Sequence, residues 1–225
     1  MFALVAIALL AIPAAAVPEG RIVIQGAASG SHLEVEANGA NIVVKGAMVD
    51  SRPQGCRFAA GHRVAVCPID GAGSIEVNMS SDHDFLEVLN TLPFPLTTHL
   101  GSGEDRFVGG GEKDTCFSEG TKRNRCIGGG GDDVCITGAR NSDCVGGPGN
   151  DYCKTDSGSD GCWGGPGDDV CYMGSGHDGC HGEGGDDRLY GEDDSDQLYG
   201  GEGRDFCDGG PGFGYSRECE GGPRH

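Results

Sequence analysis

The sequence predicts an all-β protein in which a repetitive solenoid follows a β-rich N-terminal region. Three observations support this fold class. Gly accounts for 44 of the 225 residues, far above its usual share of about 7%, and this excludes a helical bundle because Gly is a poor helix former. Short runs of β-branched residues fill the first hundred positions, and a nine-residue repeat fills most of the remainder.

The N-terminal region, residues 17–99, is expected to consist of short strands. None of it shows the period of an amphipathic helix, and its apolar triplets alternate with turns of Gly, Asn and Ser. The candidate strands are Ile22–Ile24, Leu33–Val35, Ile42–Val44, Val64–Val66, Ile75–Val77 and Phe85–Leu89.

From Leu100 onward the sequence is periodic, and nine units of nine residues follow one register from Gly128 to Asp208. Earlier copies occupy 100–108, 109–117 and 119–127, with Ser118 inserted. Each unit has six turn residues and three strand residues, and the middle strand residue is expected to point inward. Gly recurs at the first, second and fourth places, where it permits left-handed backbone angles and close approach to a ligand. Asp recurs at the sixth place and supplies a carboxylate.

The pattern G-G-x-G-x-D-x-U-x, where U is apolar, resembles the RTX (haemolysin-type) calcium-binding nonapeptide repeat. The resemblance covers about half the chain and implies a parallel β-roll or β-helix solenoid, in which two units form one coil. The segment before the repeats is similar to the corresponding part of actinobacterial secreted members, through Gly55-Cys56, Val66-Cys67-Pro68 and residues 75–85. This likeness suggests one continuous solenoid whose early coils lack good calcium turns.

The implied stacking sorts the turns into two columns. The first turn column contains the units beginning at 128, 146, 164, 182 and 200, and the second turn column contains those beginning at 119, 137, 155, 173 and 191. Calcium is expected mainly in the first column, on Asp133, Asp151, Asp169, Asp187 and Asp205, and on the turn glycines Gly129, Gly131, Gly147, Gly149, Gly165, Gly167, Gly185, Gly201 and Gly203.

The second turn column is less regular at the sixth place, so only partial calcium sites are expected there. Its sixth-place residues are Asn124, Ser142, Asp160, Asp178 and Asp196, and the partial sites should lie between the last three. Asp105 and Asp114, near the start of the repeats, are expected to bind weakly.

Several Ca²⁺ ions are the expected cofactors, because calcium prefers six to eight oxygens from carboxylates and carbonyls. The alternative is that these are plain Asp-Gly turns that need no ion. Parallel coils repeat about every 4.8 Å, however, and carboxylates at that spacing disfavour each other's ionised form. Ion binding is therefore expected to contribute folding free energy.

The net charge of −19 excludes nucleic acid and anionic membrane surfaces as expected partners, because both require patches of Lys and Arg. An extracellular protein or carbohydrate partner remains open. Trp163, Tyr172, Tyr190 and Tyr199 stand at the last place of their units, where they could serve an adhesive or structural solenoid or simply cover neighbouring coils.

Residues 1–16 are expected to be a secretory signal peptide. The apolar run Phe2–Ile12 ends in Pro13 and an Ala-rich cleavage site, and it is shorter than the roughly 20 residues of a membrane-spanning helix. The predicted organisation continues with the N-terminal region 17–99, the roll 100–217 and a tail 218–225. An oxidising extracellular location makes disulfides plausible for the 12 cysteines.

Nine cysteines occupy the inward place, where RTX repeats usually carry Leu, Ile or Val: Cys116, Cys126, Cys135, Cys144, Cys153, Cys162, Cys171, Cys180 and Cys207. They could be free, as small buried apolar residues, or form a disulfide ladder. Pairing across the roll orients the sulfurs toward each other and is favoured, as Cys126–Cys135, Cys144–Cys153 and Cys162–Cys171. Cys56–Cys67 is the preferred pair of the first region. A zinc site is disfavoured because the chain contains no C-x-x-C motif.

No catalytic residue is predicted. The zinc-protease motif H-E-x-x-H and the nucleophile elbow G-x-S-x-G are both absent from the sequence. The seven histidines are scattered without partner spacing. A secreted hydrolase with an unrecognised site is the remaining enzymatic alternative.

Overall fold

The structure is a computed structural model. It describes residues 20–26, 30–46, 56–59, 64–69, 72–79, 83–138, 140–212 and 214–222, so the predicted signal peptide lies outside the described residues. Within these ranges the chain forms 23 strands and no helix. It follows that no helix of the described part is long and apolar enough to cross a membrane.

The strands are short, most of them three to seven residues. In chain order they are β1 (Gly20–Gln25), β2 (His32–Asn38), β3 (Asn41–Gly46), β4 (Arg57–Ala59), β5 (Val64–Pro68), β6 (Ala72–Asn78), β7 (Phe85–Val88), β8 (Leu96–His99), β9 (Arg106–Val108), β10 (Asp114–Ser118), β11 (Arg125–Ile127), β12 (Val134–Thr137), β13 (Asp143–Val145), β14 (Tyr152–Lys154), β15 (Ser157–Gly158), β16 (Gly161–Pro166), β17 (Val170–Tyr172), β18 (Ser175–Gly176), β19 (Gly179–Gly184), β20 (Arg188–Tyr190), β21 (Gln197–Glu202), β22 (Phe206–Asp208) and β23 (Tyr215–Arg217).

Two long sheets face each other, and the chain alternates between them. The first sheet has the order β1-β6-β8-β10-β12-β14-β17-β20-β22, and the second has the order β23-β21-β19-β16-β13-β11-β9-β7-β2-β3-β5-β4. Residues 18 apart pair in parallel within the repeats, as Cys135 does with Cys153 and Cys126 with Cys144. The parallel solenoid of two nonapeptides per coil is therefore confirmed.

The core is a narrow double row of inward side chains from the middle of each strand. In the repeats these positions are nearly all cysteines, joined by Phe107, Leu189 and Leu198, and all are buried. The residues on either side of each inward position are exposed or half-buried, as the alternation of a strand requires.

The six candidate strands of the N-terminal region are confirmed, and most of them extend the same solenoid. β6 and β8 lead into β10 in the first sheet, while β2 and β7 lead into β9 in the second. The strand stack thus continues across residue 99 without interruption.

The expectation of one continuous solenoid is wrong for β3, β4 and β5, which extend the second sheet in antiparallel fashion beyond β2. The cause is the two-residue turn between Asn38 and Asn41, with Gly39 in the left-handed region (φ 61°). So short a turn allows only an antiparallel hairpin, because a parallel pair needs a longer crossover.

The disulfides confirm pairing across the roll but correct two of the predicted partners. The bonds are Cys56–Cys67, Cys116–Cys126, Cys135–Cys144, Cys162–Cys171 and Cys207–Cys219. Cys56–Cys67 and Cys162–Cys171 agree with prediction, whereas Cys126–Cys135 and Cys144–Cys153 are wrong. Each inward cysteine from Cys126 to Cys171 has one cysteine before it and one after it across the roll, so spacing alone does not choose between them. Cys153 and Cys180 stay free and buried.

Aromatic rings at the ends of the strands stack along the outside of both sheets. Tyr172 and Tyr190 lie 4.6 Å apart on the first sheet, and His181 and Tyr199 lie 4.6 Å apart on the second, each pair with an interplanar angle of 5°. Trp163 is parallel to His181 at 6.2 Å. The rings therefore cover neighbouring coils, as one of the two interpretations of these aromatics expected.

Candidate metal-binding turns

The two turn columns lie at opposite edges of the roll, where the chain passes from one sheet to the other. First-column turns lead into strands of the first sheet, as residues 128–133 lead from β11 into β12. Second-column turns lead into the second sheet, as residues 137–142 connect β12 to β13. Because successive coils are in register, the sixth-place side chains of each column fall into line.

In the first turn column these side chains form a ladder of hydrogen bonds. The backbone N–H of each sixth-place residue donates to Oδ1 of the aspartate in the next coil, and all the residues in the ladder except Glu220 are buried aspartates. The bonds run from Asp114 to Asp133 (2.7 Å), Asp133 to Asp151 (2.7 Å), Asp151 to Asp169 (2.7 Å), Asp169 to Asp187 (2.8 Å), Asp187 to Asp205 (2.9 Å) and Asp205 to Glu220 Oε2 (2.8 Å).

The second turn column carries a matching ladder. Its bonds run from Asp84 to Asp105 (2.8 Å), Asp105 to Asn124 (2.7 Å), Asn124 to Ser142 (3.3 Å), Ser142 to Asp160 (2.6 Å), Asp160 to Asp178 (2.7 Å) and Asp178 to Asp196 (3.0 Å). Every predicted sixth-place residue of both columns thus lies in a ladder. Asp160, Asp178 and Asp196 are placed as regularly as their first-column counterparts.

Asp84 and Glu220 extend the ladders beyond the residues that the sequence singled out as candidate ligands. Asp84 immediately precedes β7, as the sixth-place aspartates from Asp133 onward precede their strands, and this position was a signal that could have revealed it. Glu220 lies past the last complete unit and reaches Asp205 from a different spacing, so no repeat pattern indicates it.

The other carboxylate oxygen of most of these aspartates is buried and has no hydrogen-bond partner. This holds for Oδ2 of Asp105, Asp133, Asp151, Asp160, Asp169, Asp178, Asp187, Asp196 and Asp205. An unpartnered buried oxygen costs about 1–3 kcal/mol or more when it is charged, so nine of them in two columns require compensation. Carboxylate oxygens aligned at the edge of the roll are the ligands that a hard divalent cation prefers, and the donor set therefore fits Ca²⁺.

The turn glycines serve two separate purposes. All nine predicted glycines, at the second and fourth places, have φ between 105° and 145°, the left-handed side of the backbone map. Even the non-glycine residues Arg140, Glu183, Glu192 and Asp194, which stand at the same places, adopt φ of 69–87°. Only Gly populates such angles without steric cost, so this part of the prediction has a direct conformational reason.

The first-place glycines were expected to share these angles, but they are not among the residues with positive φ. They are needed because a Cβ there would overlap the carboxylate of the same turn, as at Gly128 with Asp133 and at Gly164 with Asp169. The first-place glycines therefore shape the pocket that holds Oδ2, a role that the repeat pattern does not reveal.

Two turns without a sixth-place aspartate contain a hydrogen bond that the aspartate turns lack. Asn124 donates from Nδ2 to the carbonyl oxygen of Lys122 (3.1 Å), and Ser142 donates from its hydroxyl to the carbonyl oxygen of Arg140 (2.7 Å). In both, the sixth-place side chain supplies a hydrogen to the fourth-place carbonyl of its own turn. An ionised aspartate has no hydrogen to donate. A cation bound between its Oδ2 and the fourth-place carbonyl oxygen would take the place of this hydrogen bond.

Burial and mutual repulsion make these aspartates hard to ionise in the absence of a cation. Burial raises the pKa of Asp133 and of Asp169 to about 8 from an ordinary value of 3.8; backbone hydrogen bonds lower it and neighbouring carboxylates raise it further. The pKa of Asp178 rises to about 7, and those of Asp151 and Asp187 rise to about 6, again mainly through burial.

Comparison with known protein families gives an independent result. Residues 145–179 and 181–215 each match the RTX calcium-binding nonapeptide repeat, whose β-roll is generally a binding and structural element. The matched segments contain seven of the eight predicted aspartate ligands, all except Asp133. No curated protein matches the chain.

Proposed function

We propose, on the premise that this chain carries RTX calcium-binding nonapeptide repeats, that it binds several Ca²⁺ ions between successive turns and that these ions complete the folding of the roll. In the first column the ligands are the carboxylates of Asp133, Asp151, Asp169, Asp187 and Asp205, with backbone carbonyls at the second- and fourth-place glycines. In the second column they are Asp160, Asp178 and Asp196 with the corresponding carbonyls.

The unpartnered Oδ2 atoms carry this proposal. Six of them, in Asp133, Asp151, Asp169, Asp187, Asp196 and Asp205, lie in the pocket left by a first-place glycine. In each of these carboxylates Oδ1 already accepts a hydrogen bond from the N–H of the preceding coil, as in Asp169 and Asp187. The carbonyl oxygen of Gly129 lies against the place a side chain at Gly147 would occupy, and Gly131 has the same relation to Gly149. Carbonyls and carboxylates of adjacent coils therefore meet at one edge.

A bound calcium ion supplies positive charge that offsets the repulsion between stacked carboxylates. The protein's part is to hold the oxygens in place: the Oδ1 bonds fix the side-chain rotamer, and the left-handed glycines direct the carbonyls. Since the unfolded chain has no such arrangement, the free energy of binding becomes free energy of folding.

Substitution of Asp169 tests the proposal with two variants, which separate the effect on calcium affinity from the effect on stability without calcium. Asp169→Ala and Asp169→Asn should each weaken calcium binding at the two gaps that flank the turn, by about tenfold or more. Titration calorimetry and metal analysis of the purified protein measure this effect. In chelator, Asp169→Asn should be at least as stable as the parent, because the amide can donate to the Gly167 carbonyl as Asn124 donates to Lys122.

Asp168→Asn is the matched control, since Asp168 is an exposed carboxylate in the same turn. It should leave calcium binding unchanged. Equal losses in Asp168→Asn and Asp169→Asn would assign binding to general surface charge, and a parent protein that binds no calcium would refute the proposal.

We further propose that the protein acts outside the cell. RTX repeat proteins are typically secreted, and the five disulfides fit an oxidising compartment. Mass spectrometry of protein recovered from the culture medium should show a mature N-terminus at Val17. Retention of residues 1–16 in a cell-associated product would contradict this assignment.

A further inference from the structure

Eight cysteines inside the roll form two facing columns. In the first sheet they are Cys116, Cys135, Cys153 and Cys171, and in the second sheet Cys126, Cys144, Cys162 and Cys180, each paired in register with the next coil. In chain order they alternate between the sheets. Every disulfide across the roll therefore joins cysteines that are consecutive in this series.

The pairing pattern of the observed disulfides changes partway along the series. Cys116–Cys126 and Cys135–Cys144 each join a first-sheet cysteine to the one that follows it, whereas Cys162–Cys171 joins a second-sheet cysteine to the one that follows. Because of this change, Cys153 at the junction and Cys180 at the end of the series remain as free thiols. Only one set of disulfides between consecutive cysteines includes all eight residues. It keeps Cys116–Cys126 and Cys135–Cys144 and has Cys153–Cys162 and Cys171–Cys180 in place of Cys162–Cys171.

The sulfurs needed for this replacement are already close together. The Sγ atoms of Cys162, Cys171 and Cys180 all lie within 4.8 Å of one another. Cys153 and Cys162 line the same narrow internal void as Cys171 and Cys180. All four residues are buried, so the first exchange step takes place inside the roll and needs no reagent from solution.

We propose that Cys153 and Cys180 are the reactive thiols of a disulfide exchange that completes a four-bond ladder inside the roll. The Cys180 thiolate attacks Sγ of Cys171, the Cys162–Cys171 bond breaks, and Cys171–Cys180 forms. Cys162 leaves as the thiolate and takes up the proton that Cys180 gave up. The thiols of Cys153 and Cys162 then form a disulfide, and a small-molecule disulfide accepts their two electrons and leaves as two thiols.

The test uses purified full-length protein in calcium-containing, mildly alkaline buffer with oxidised glutathione, followed by acid quenching and alkylation. A protease that cleaves before Asp places the four cysteines on separate peptides, 151–155, 160–167, 169–177 and 178–185. Alkylatable thiols should fall from two per chain to none, and the linked peptides should be Cys153–Cys162 and Cys171–Cys180. Cys56–Cys67 and Cys207–Cys219, mapped in the same digest, should not change.

Persistence of Cys162–Cys171, with Cys153 and Cys180 as thiols or as glutathione adducts, would overturn the proposal. The variant Cys153→Ala isolates the first step, because the released Cys162 then has no partner. Without added oxidant it should contain one thiol, distributed between Cys180 and Cys162, with both Cys162–Cys171 and Cys171–Cys180 present. A thiol confined to Cys180 in this variant would likewise overturn the exchange.

Discussion

The N-terminal coils and the nonapeptide coils share one solenoid but are stabilised differently. Around β1, β2, β6 and β7 the inward residues are large aliphatic side chains such as Ile24, Leu33 and Leu86, all almost completely buried. In the repeats the inward residues are mostly cysteines, which bury far less apolar surface per residue. The nonapeptide turns instead concentrate aspartates. Of the 35 acidic residues of the chain, 26 lie in residues 100–225.

The difference leads us to expect that the parallel coil itself does not require calcium. Where the core is aliphatic, hydrophobic burial contributes about 25 cal/mol per Å² and the turns carry few charges. Where the core is thin, we expect disulfides and the proposed ions between the turns to supply the stability. The two parts of the solenoid should therefore respond differently to removal of calcium, to acid and to truncation of the core.

Removal of calcium should have the largest effect and should be confined to the repeats. In excess chelator, the backbone amides of residues 128–208 are expected to lose hydrogen-exchange protection, because the stacked carboxylates repel one another without ions. Strands β1, β2, β6 and β7 should keep their protection. Hydrogen exchange followed by mass spectrometry resolves the two parts, and equal protection of both in chelator would refute the distinction.

Acid should partly replace calcium in the repeats. Because the pKa values of Asp133 and Asp169 are about 8 in the folded protein and 3.8 is the ordinary value, protonation favours the folded state. This stabilisation is complete below pH about 4 and is lost as the pH rises through 6–8. Circular dichroism in chelator should thus show more β structure at pH 4 than at pH 8, and an opposite trend would contradict the raised pKa values.

In calcium the trend reverses, because protons compete with the ion for the same carboxylates. Calcium affinity should fall as the pH decreases below 8, and calorimetric titration over this range measures the change. An affinity independent of pH would exclude the buried aspartates as ligands.

Truncation of a core residue should destabilise the two parts of the solenoid under different conditions. Leu86→Ala, in the aliphatic part, should lower the free energy of unfolding of the N-terminal coils by about 2–5 kcal/mol, with or without calcium. Leu198 is equally buried but lies among the repeats. Leu198→Ala should destabilise the calcium-loaded roll and leave the unfolding transition measured in chelator unchanged.

The smallest expected effect concerns one methyl group in a calcium turn. Gly164→Ala places a Cβ against the Asp169 carboxylate and should cost about 1–3 kcal/mol through overpacking, together with calcium affinity. Gly179→Ala is the control, because a Cβ at that glycine meets nothing within 4 Å. Similar calcium titrations for the two variants would show that the first-place glycine does not shape the site.

Much of this architecture was predictable from spacing. A period of nine residues with Gly and Asp at set places determines the 18-residue coil, the two turn columns and the alignment of Asp151 with Asp169 and of Asp160 with Asp178. The left-handed angles of Gly147 and Gly149 follow from the same pattern. These features depend only on local conformation and regular repetition, which a sequence displays directly.

The local sequence determined the repeat, the coil and the line of carboxylates, because each of these recurs within one unit. Tertiary structure alone decided the cysteine partners, since Cys135 and Cys153 each face two equivalent neighbours across the roll. It also decided that Glu220 ends the first ladder and that first-place glycines leave space for a carboxylate oxygen. Contacts between coils depend on distances through space, and a repeating pattern along the chain does not distinguish one neighbouring coil from the other.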